Sequence, residues 1–354
     1  MNTIGRLFRV SVFGESHGIC VGALVDGMPA GIKVSEEYIQ GELDRRKPGG
    51  QLASKRKEED RVEILSGVFR GYSTGTPILM LVWNKDVDSS AYEKMKNTPR
   101  PGHADYTAFL KYKGYNDYRG GGIFSGRMTA AYVMAGALAK LMLKKWRVVI
   151  GAYACQIGSV TCETHYSLGE VLKARNMLRC PDEKKAREME EEIRRAAEEG
   201  DSVGGCIRCI ANLPPCLGEP LFDAIDADIA KAVFSIPAVK GVEFGDTKMR
   251  GSENNDEFFV KNGRIMTRTN NSGGVLGGIT TGMPLEFTVK LKPTPSIYKE
   301  QRTVDIKTMK PAKLRIAGRH DPCIVPRAIV VVESVAAFVI ADHVLRHEAY
   351  GAGF

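Results

Sequence analysis

A chain of 354 residues with 43% hydrophobic content has enough apolar material for one large domain or two ordinary ones. Its net charge of +8 is uneven, because residues 182–201 hold nine acids and five bases, net −4, which leaves +12 on the remainder. That excess suits nucleic acid, a membrane surface or a multiply anionic small molecule, and a chain of low charge made for none of these is excluded.

No apolar run is long enough to span a bilayer and the N-terminus lacks signal-peptide architecture, so a cytoplasmic protein is expected. Eight cysteines in a chain of this length are not a secreted disulfide framework. Cys206-Ile207-Arg208-Cys209 lies in the strand-like stretch 203–211, where residues three apart face opposite sides without a bulge. Reduced structural thiols and no metal site are expected.

Residues 7–13 and 19–25 read as strands joined by the polar turn Gly14-Glu15-Ser16-His17-Gly18, a hairpin. His17 sits between glycines and not on an apolar face, which leaves a solvated and a functional role both open. A serine adjacent to it in sequence is not a hydrolase dyad, since that contact is spatial. Ser35 caps a helix that opens with Glu36, Glu37 and Tyr38 and stops at Asp44-Arg45-Arg46-Lys47-Pro48-Gly49-Gly50. Lys55, Arg56 and Lys57 extend this basic cluster through a loop able to close over an anion.

Strands 62–65 and 78–82 flank a turn at 72–77, and 84–97 is a polar, mobile loop. It ends in Arg100-Pro101-Gly102-His103-Ala104-Asp105-Tyr106, where proline fixes the backbone and glycine frees it to hold a second histidine at an unusual angle. Arg119-Gly120-Gly121-Gly122-Ile123-Phe124-Ser125-Gly126-Arg127 follows. Its three glycines allow positive φ and close approach to a ligand. Apolar residues at three- and four-residue steps make 128–145 a buried helix capped by Ser125, an anion site flanked by Arg119 and Arg127. Neither P-loop nor Rossmann spacing follows, so a plain structural connection is the alternative.

Residues 147–157 form a strand, and 182–200 a charged surface helix with pairs Glu183/Arg187 and Glu190/Arg194. An amphipathic helix at 220–236 and a loop entering a strand at 237–245 precede a second glycine-dense segment, 270–282. Strand 285–291 runs into Lys292-Pro293-Thr294-Pro295-Ser296, a stiff, hydroxyl-bearing loop suited to phosphate. Gly318-Arg319-His320-Asp321-Pro322-Cys323 precedes a strand at 328–332 and a closing helix at 334–347. Helices lying between blocks of strands, with no repeat and no linker, give an α+β fold and a single domain over residues 1–354.

Taken together, the glycine-bounded His17 turn, the His103 turn, Tyr118 to Gly122, Phe124 to Arg127, Lys292 to Ser296 and Gly318 to Cys323 resemble the chorismate synthase family, in order and over essentially the whole chain. The resemblance implies a β-α-β sandwich, a homotetramer, and a lyase that converts 5-enolpyruvylshikimate 3-phosphate to chorismate by 1,4-anti elimination. Reduced FMN is then required without net redox change, with NADPH as a reductant. By the same resemblance His17 is the acid at the leaving phosphate, and His103 controls protonation of the reduced flavin. Ser16 and Asp321 relay or position the ring proton. Arg46, Arg100 and Arg127 hold substrate anions, and Arg46 also matches a position for NADPH. Flavin contacts carry over to Phe124, Ser125, Ala238, Gly277, Lys292, Pro293, Thr294, Pro295, Ser296 and Arg319. Against the family pattern, Ile123 and Leu52 stand where arginines are common, and Pro237 replaces an amide-bearing residue. The rival readings are a basic nucleic-acid-binding protein and an FMN-binding redox enzyme. The first calls for aromatics interleaved with bases, whereas these arginines sit in Gly/Pro turns beside His, Ser and Asp.

Overall fold

The computed structural model describes residues 2–47, 60–85, 88–316 and 320–351. Two five-stranded antiparallel sheets form the outer layers. In the first, Arg9–Gly14 and Cys20–Asp26 pair as the expected hairpin, Arg9 opposite Asp26 and Gly14 opposite Val21, and Ile78–Trp83 pairs with Cys20–Asp26. In the second, Gly205–Asn212 lies between Val149–Ile157 and Leu285–Leu291, and Val239–Phe244 pairs on the far side of Leu285–Leu291.

Helices fill the space between the sheets. Thr129–Leu143 packs on the first sheet, Val325–Ala349 on the second, and the two helices pack on each other. A Cβ at Gly136 would stand 2.3 Å from Cβ of Ser334, so only glycine lets these backbones approach this closely. Gly126 lies beside Ile324 at the other end of the contact, so the helices run parallel with both N-termini at one end of the sandwich. Partial positive charge gathers at that end.

Several expectations are corrected. Residues 328–332 and 334–347 are not a strand and a helix but one helix, Val325–Ala349. Ile329-Val330-Val331-Val332 favours a strand by β-branching, yet it is buried all round between helices and a sheet, and packing overrides that preference. This helix is also long and apolar enough to cross a membrane, contrary to the reading of apolar runs, but 94% of its apolar window is buried inside the protein. It is a core helix. Residues 84–97 are not wholly loop, since Ser90–Met95 is a helix, and a further helix, Asp105–Tyr112, follows the His103 turn. The amphipathic stretch 220–236 divides into a 3-10 turn, Leu221–Asp223, and the helix Ile225–Val233.

The charged helix Glu183–Glu198 does lie on the surface over Ala186, Met189 and Ile193. Its ion pairs are mainly one residue tighter than expected, Lys185 with Glu188, Arg194 with Glu191 and Arg195 with Glu192. All eight cysteines are free thiols. A bulge does occur at Cys206/Ile207, but Cys206 bonds to Gln156 while Cys209 is fully buried, and no metal-holding group occurs among the described residues.

Candidate active site

The loops at the N-terminal ends of the two central helices converge on the three glycines. Gly120, Gly121 and Gly122 all have positive φ, 59°, 85° and 53°. A Cβ at Gly120 would stand 2.2 Å from Cδ2 of His17, 2.6 Å from its Nε2 and 2.8 Å from Oγ of Ser16. A Cβ at Gly121 would stand 3.2 Å from Nε2 of His103. Adjacent glycines of the turn therefore face the two histidines, Gly120 toward His17 and Gly121 toward His103. The backbone N–H of Ser16 donates to the carbonyl of Gly122 at 3.2 Å and locks the His17 turn to it.

Each histidine has its own partners. Nδ1 of His17 lies 2.9 Å from Oγ of Ser89, and Tyr92 meets the His17 ring edge-on with centroids 5.1 Å apart. Nδ1 of His103 lies 2.5 Å from Oδ1 of Asp105, and Nη2 of Arg100 reaches Nε2 of His103 at 3.3 Å. Burial pushes the His103 pKa below the ordinary histidine range, and Arg100 adds to this, while the Asp105 hydrogen bond opposes it. The ring is then neutral at pH 7 and donates from Nδ1 to Asp105, with Nη2 of Arg100 lying 3.1 Å from Nδ1 and 3.3 Å from Nε2. For Asp105 burial works upward, but hydrogen bonds from Arg100 and His103 outweigh it and hold the carboxyl well below its usual range.

Arg46 and Arg127 meet on Asp60. All three are buried, with Nη2 of Arg46 2.6 Å from Oδ2 of Asp60 and Nη1 of Arg127 on Oδ1. Burial would raise the Asp60 pKa, but the two guanidiniums bring it down. Nε of Arg127 donates to Asn84 at 2.9 Å, and Asn84 in turn donates to the carbonyls of Glu15 and Gly18. One asparagine thus ties this arginine to the His17 turn. Ser125 does not cap the long helix directly. It caps the 3-10 turn Gly126–Met128 by accepting from the N–H of Arg127, and the helix follows from Thr129.

The Lys292–Ser296 loop lies against the His103 turn. The Lys292 ammonium donates to the carbonyl of Gly102, Nη1 of Arg100 reaches Ser296 at 3.3 Å, and Gly102 stands beside Pro295. Thr294 donates to the carbonyl of Asp321 at 2.9 Å, and Ala238, at φ 73°, accepts from the N–H of Lys292, which precedes Pro293 in the same wall. Burial lowers the Lys292 pKa and the nearby Lys240 ammonium lowers it further. Two ammonium groups with no carboxylate paired to either among the described residues, next to the Ser296 hydroxyl, which accepts from Arg100 and keeps its own proton to donate, make a donor set that fits the phosphate of a flavin mononucleotide.

Not everything gathers here. The Asp321 carboxylate faces Arg327 at 3.1 Å, and its link to the cluster runs through its backbone carbonyl. Gly277 sits in the tight turn between Val275–Leu276 and Ile279–Thr280, with open space where a Cβ would be. Phe124 is half-buried before Ser125, and Ile123 is partly exposed. Arg319, Leu52, Lys55, Arg56 and Lys57 lie outside the described residues. Sequence reasoning missed Asp60, Asn84, Ser89, Tyr92 and Asp105 as partners. Asp105 stood in plain view in the His103 motif; Ser89 and Tyr92 lay in a stretch read as loop.

This geometry has known counterparts. The family model described as chorismate synthase matches residues 8–345. The chain belongs to the chorismate synthase family. It is 56% identical over 351 residues to the chorismate synthase of Thermococcus kodakarensis, covering 98% of each chain. It is 54% identical over 350 residues to that of Korarchaeum cryptofilum, covering 97% of each. A crystal structure of a chorismate synthase at 31% identity aligns with a TM-score of 0.75, covering 97% of this chain and 93% of the other. Membership makes the chain a lyase of the shikimate pathway to aromatic amino acids, with the α+β sandwich of that family and reduced FMN as the family's cofactor.

Proposed function

We propose that the end of the sandwich bearing both helix N-termini carries out the 1,4-anti elimination of phosphate from 5-enolpyruvylshikimate 3-phosphate, giving chorismate. The observation that carries this is the pair of histidines set against adjacent glycines of one turn, among buried arginines. The substrate is a phosphate with two carboxylates. Arg46 and Arg127, both anchored by Asp60, and Arg100, anchored by Asp105, are the fixed guanidiniums that would hold those anions. Cleavage of the carbon–oxygen bond leaves negative charge on the phosphate, and His17 gives it a proton.

The flavin, when bound, supplies transient electron donation to the breaking bond. Lys292, Thr294 and Ser296 hold its phosphate, with Pro293 and Pro295 stiffening that loop and Phe124, Ser125, Ala238, Gly277 and Arg319 lining its remaining contacts. His103, kept neutral, governs the protonation of its ring. Ser16 and Asp321 position the path of the ring proton. NADPH is the reductant, with Arg46 as its contact, and the chain works as a single-domain protomer of a cytoplasmic homotetramer. Anaerobic mixing of protein, chemically reduced FMN and substrate should release phosphate and chorismate together. Phosphate release dependent on continuous NADPH consumption would instead favour ordinary redox chemistry.

A further inference from the structure

Helix Ser90–Met95 and the residue that precedes it contact both histidine centres, and neither Ser89 nor Tyr92 has a role in the chemistry described so far. Ser89 stands at the start of this helix without bonding to any of its backbone N–H groups, so its hydroxyl is not used as a cap. It is spent on Nδ1 of His17, at 2.9 Å. Tyr92, one turn on, presents its ring to two groups at once. The His17 ring meets it at 5.1 Å and 81°, and the Arg100 guanidinium lies 5.7 Å from its centroid.

We propose that Ser89 and Tyr92 are positioning residues that set the tautomer and ring angle of His17 and link it to the Arg100–His103 pair. A serine hydroxyl both donates and accepts. When His17 is neutral, Ser89 donates to Nδ1, so the ring proton sits on Nε2, the nitrogen that faces the glycine turn. When His17 is charged, the same hydroxyl rotates and accepts from Nδ1–H. His17 can therefore pass through its protonation cycle without moving. A carboxylate in the place of Ser89 would instead favour the charged ring, the direction in which Asp105 pulls His103 against the larger effect of burial.

Tyr92 restricts the other degree of freedom, rotation of the ring. Because the same aromatic ring carries Arg100, a shift of the arginine that binds an anion is felt at His17. Among the described residues, Asp88 before the helix, Asp117 before the glycine turn and Tyr92 itself are charged or titratable groups that act on His17. Asp88 is held low chiefly by bonds from Ser90, and Asp117 chiefly by Arg119, with His17 a smaller influence on each.

This inference rests on His17 acting as the proton donor proposed above. The test uses the full chain labelled with 15N-histidine, read by NMR for the tautomer and titration of His17, alongside kcat at several pH values with reduced FMN and substrate. In the wild type the neutral ring should carry its proton on Nε2. Ser89→Ala should give a mixture of tautomers and lower kcat by about tenfold to a hundredfold, with Ser89→Thr restoring both. Tyr92→Leu should shift the His17 resonance and Tyr92→Phe, which keeps the ring, should restore it. An unchanged His17 tautomer and titration in both Ser89→Ala and Tyr92→Leu overturns the proposal, and so does a kcat loss that Ser89→Thr does not rescue. Wild-type turnover in His17→Ala is a different result: it removes the donor role while leaving the NMR outcome to stand on its own.

Discussion

Gly120 has no room for a side chain. The left-handed φ of 59° already disfavours any residue with a Cβ, and that Cβ would fall 2.2 Å from the ring of His17. Gly120→Ala should therefore displace the histidine by the better part of an ångström and lower kcat by about a hundredfold, with a circular-dichroism spectrum unchanged from wild type. Retained turnover would show that the ring's position is immaterial. At the next glycine of the turn, His103 owes its depressed pKa first to burial, then to Arg100, against the pull of Asp105. Asp105→Asn removes that pull, so the His103 pKa should fall further, visible as a downfield-to-upfield titration displaced to lower pH in a 1H NMR series. A rise would mean that Arg100 and burial are not what keep the ring neutral.

At the scale of elements, two buried carboxylates and two half-buried cations meet where the helices pack. Arg45 pairs with Glu42 at 2.9 Å and Glu333 at 2.7 Å, and Lys140 with Glu42 at 2.6 Å and Glu333 at 2.8 Å. The quartet joins Glu36–Arg46, Thr129–Leu143 and Val325–Ala349, and it also accepts the N–H of Ala152 from the second sheet. Removing one member leaves carboxylates buried with too little positive charge, so Lys140→Met should destabilise the fold by about 3–5 kcal/mol, measured by denaturant unfolding.

Burial alone would raise the Glu333 pKa from 4.5, but Lys140 and Arg45 bring it down to about 2. A folded pKa below the unfolded one means that the unfolded chain binds more protons between those values. Stability is thus present above pH 4.5 and is lost as pH falls toward about 2, by roughly 3 kcal/mol from this group. Glu333→Gln should flatten that part of the pH–stability curve; an unaltered slope would assign acid sensitivity elsewhere.

These elements also explain what the sequence could show. The hairpin at Arg9–Asp26, the Ser35 cap and strand Leu285–Leu291 were legible because alternation, a side-chain cap and flanking turns are local signals. The first turns of helix Val325–Ala349 were not, because its β-branched run is governed by contacts from the second sheet and other helices. Ser90–Met95 was missed for the opposite reason. It is short, polar and without a side-chain cap, and its worth lies in contacts with His17 and Arg100 that are distant in sequence.

For the whole molecule, the two sheets hold two parallel helices so that their N-termini, the two histidine turns and the Lys292–Ser296 loop share one end. The motifs pointed to that grouping, since glycine, arginine and histidine in rigid turns are a chemical signal that survives without coordinates. What they did not contain was the pairing within the site: Asp60 between Arg46 and Arg127, Asn84 between Arg127 and the His17 turn, Asp105 between Arg100 and His103. In the proposed function, the +12 outside the charged helix is the field that gathers two polyanions at this end of the molecule. The central claim is that His17 protonates the departing phosphate at this end of the molecule. The most direct measurement is the single-turnover rate of phosphate release under anaerobic conditions, with reduced FMN and 5-enolpyruvylshikimate 3-phosphate, for wild type and His17→Ala. The account predicts stoichiometric phosphate and chorismate from the wild type and a rate lower by about 10²–10⁴-fold in the variant. Equal rates in the two proteins would contradict it.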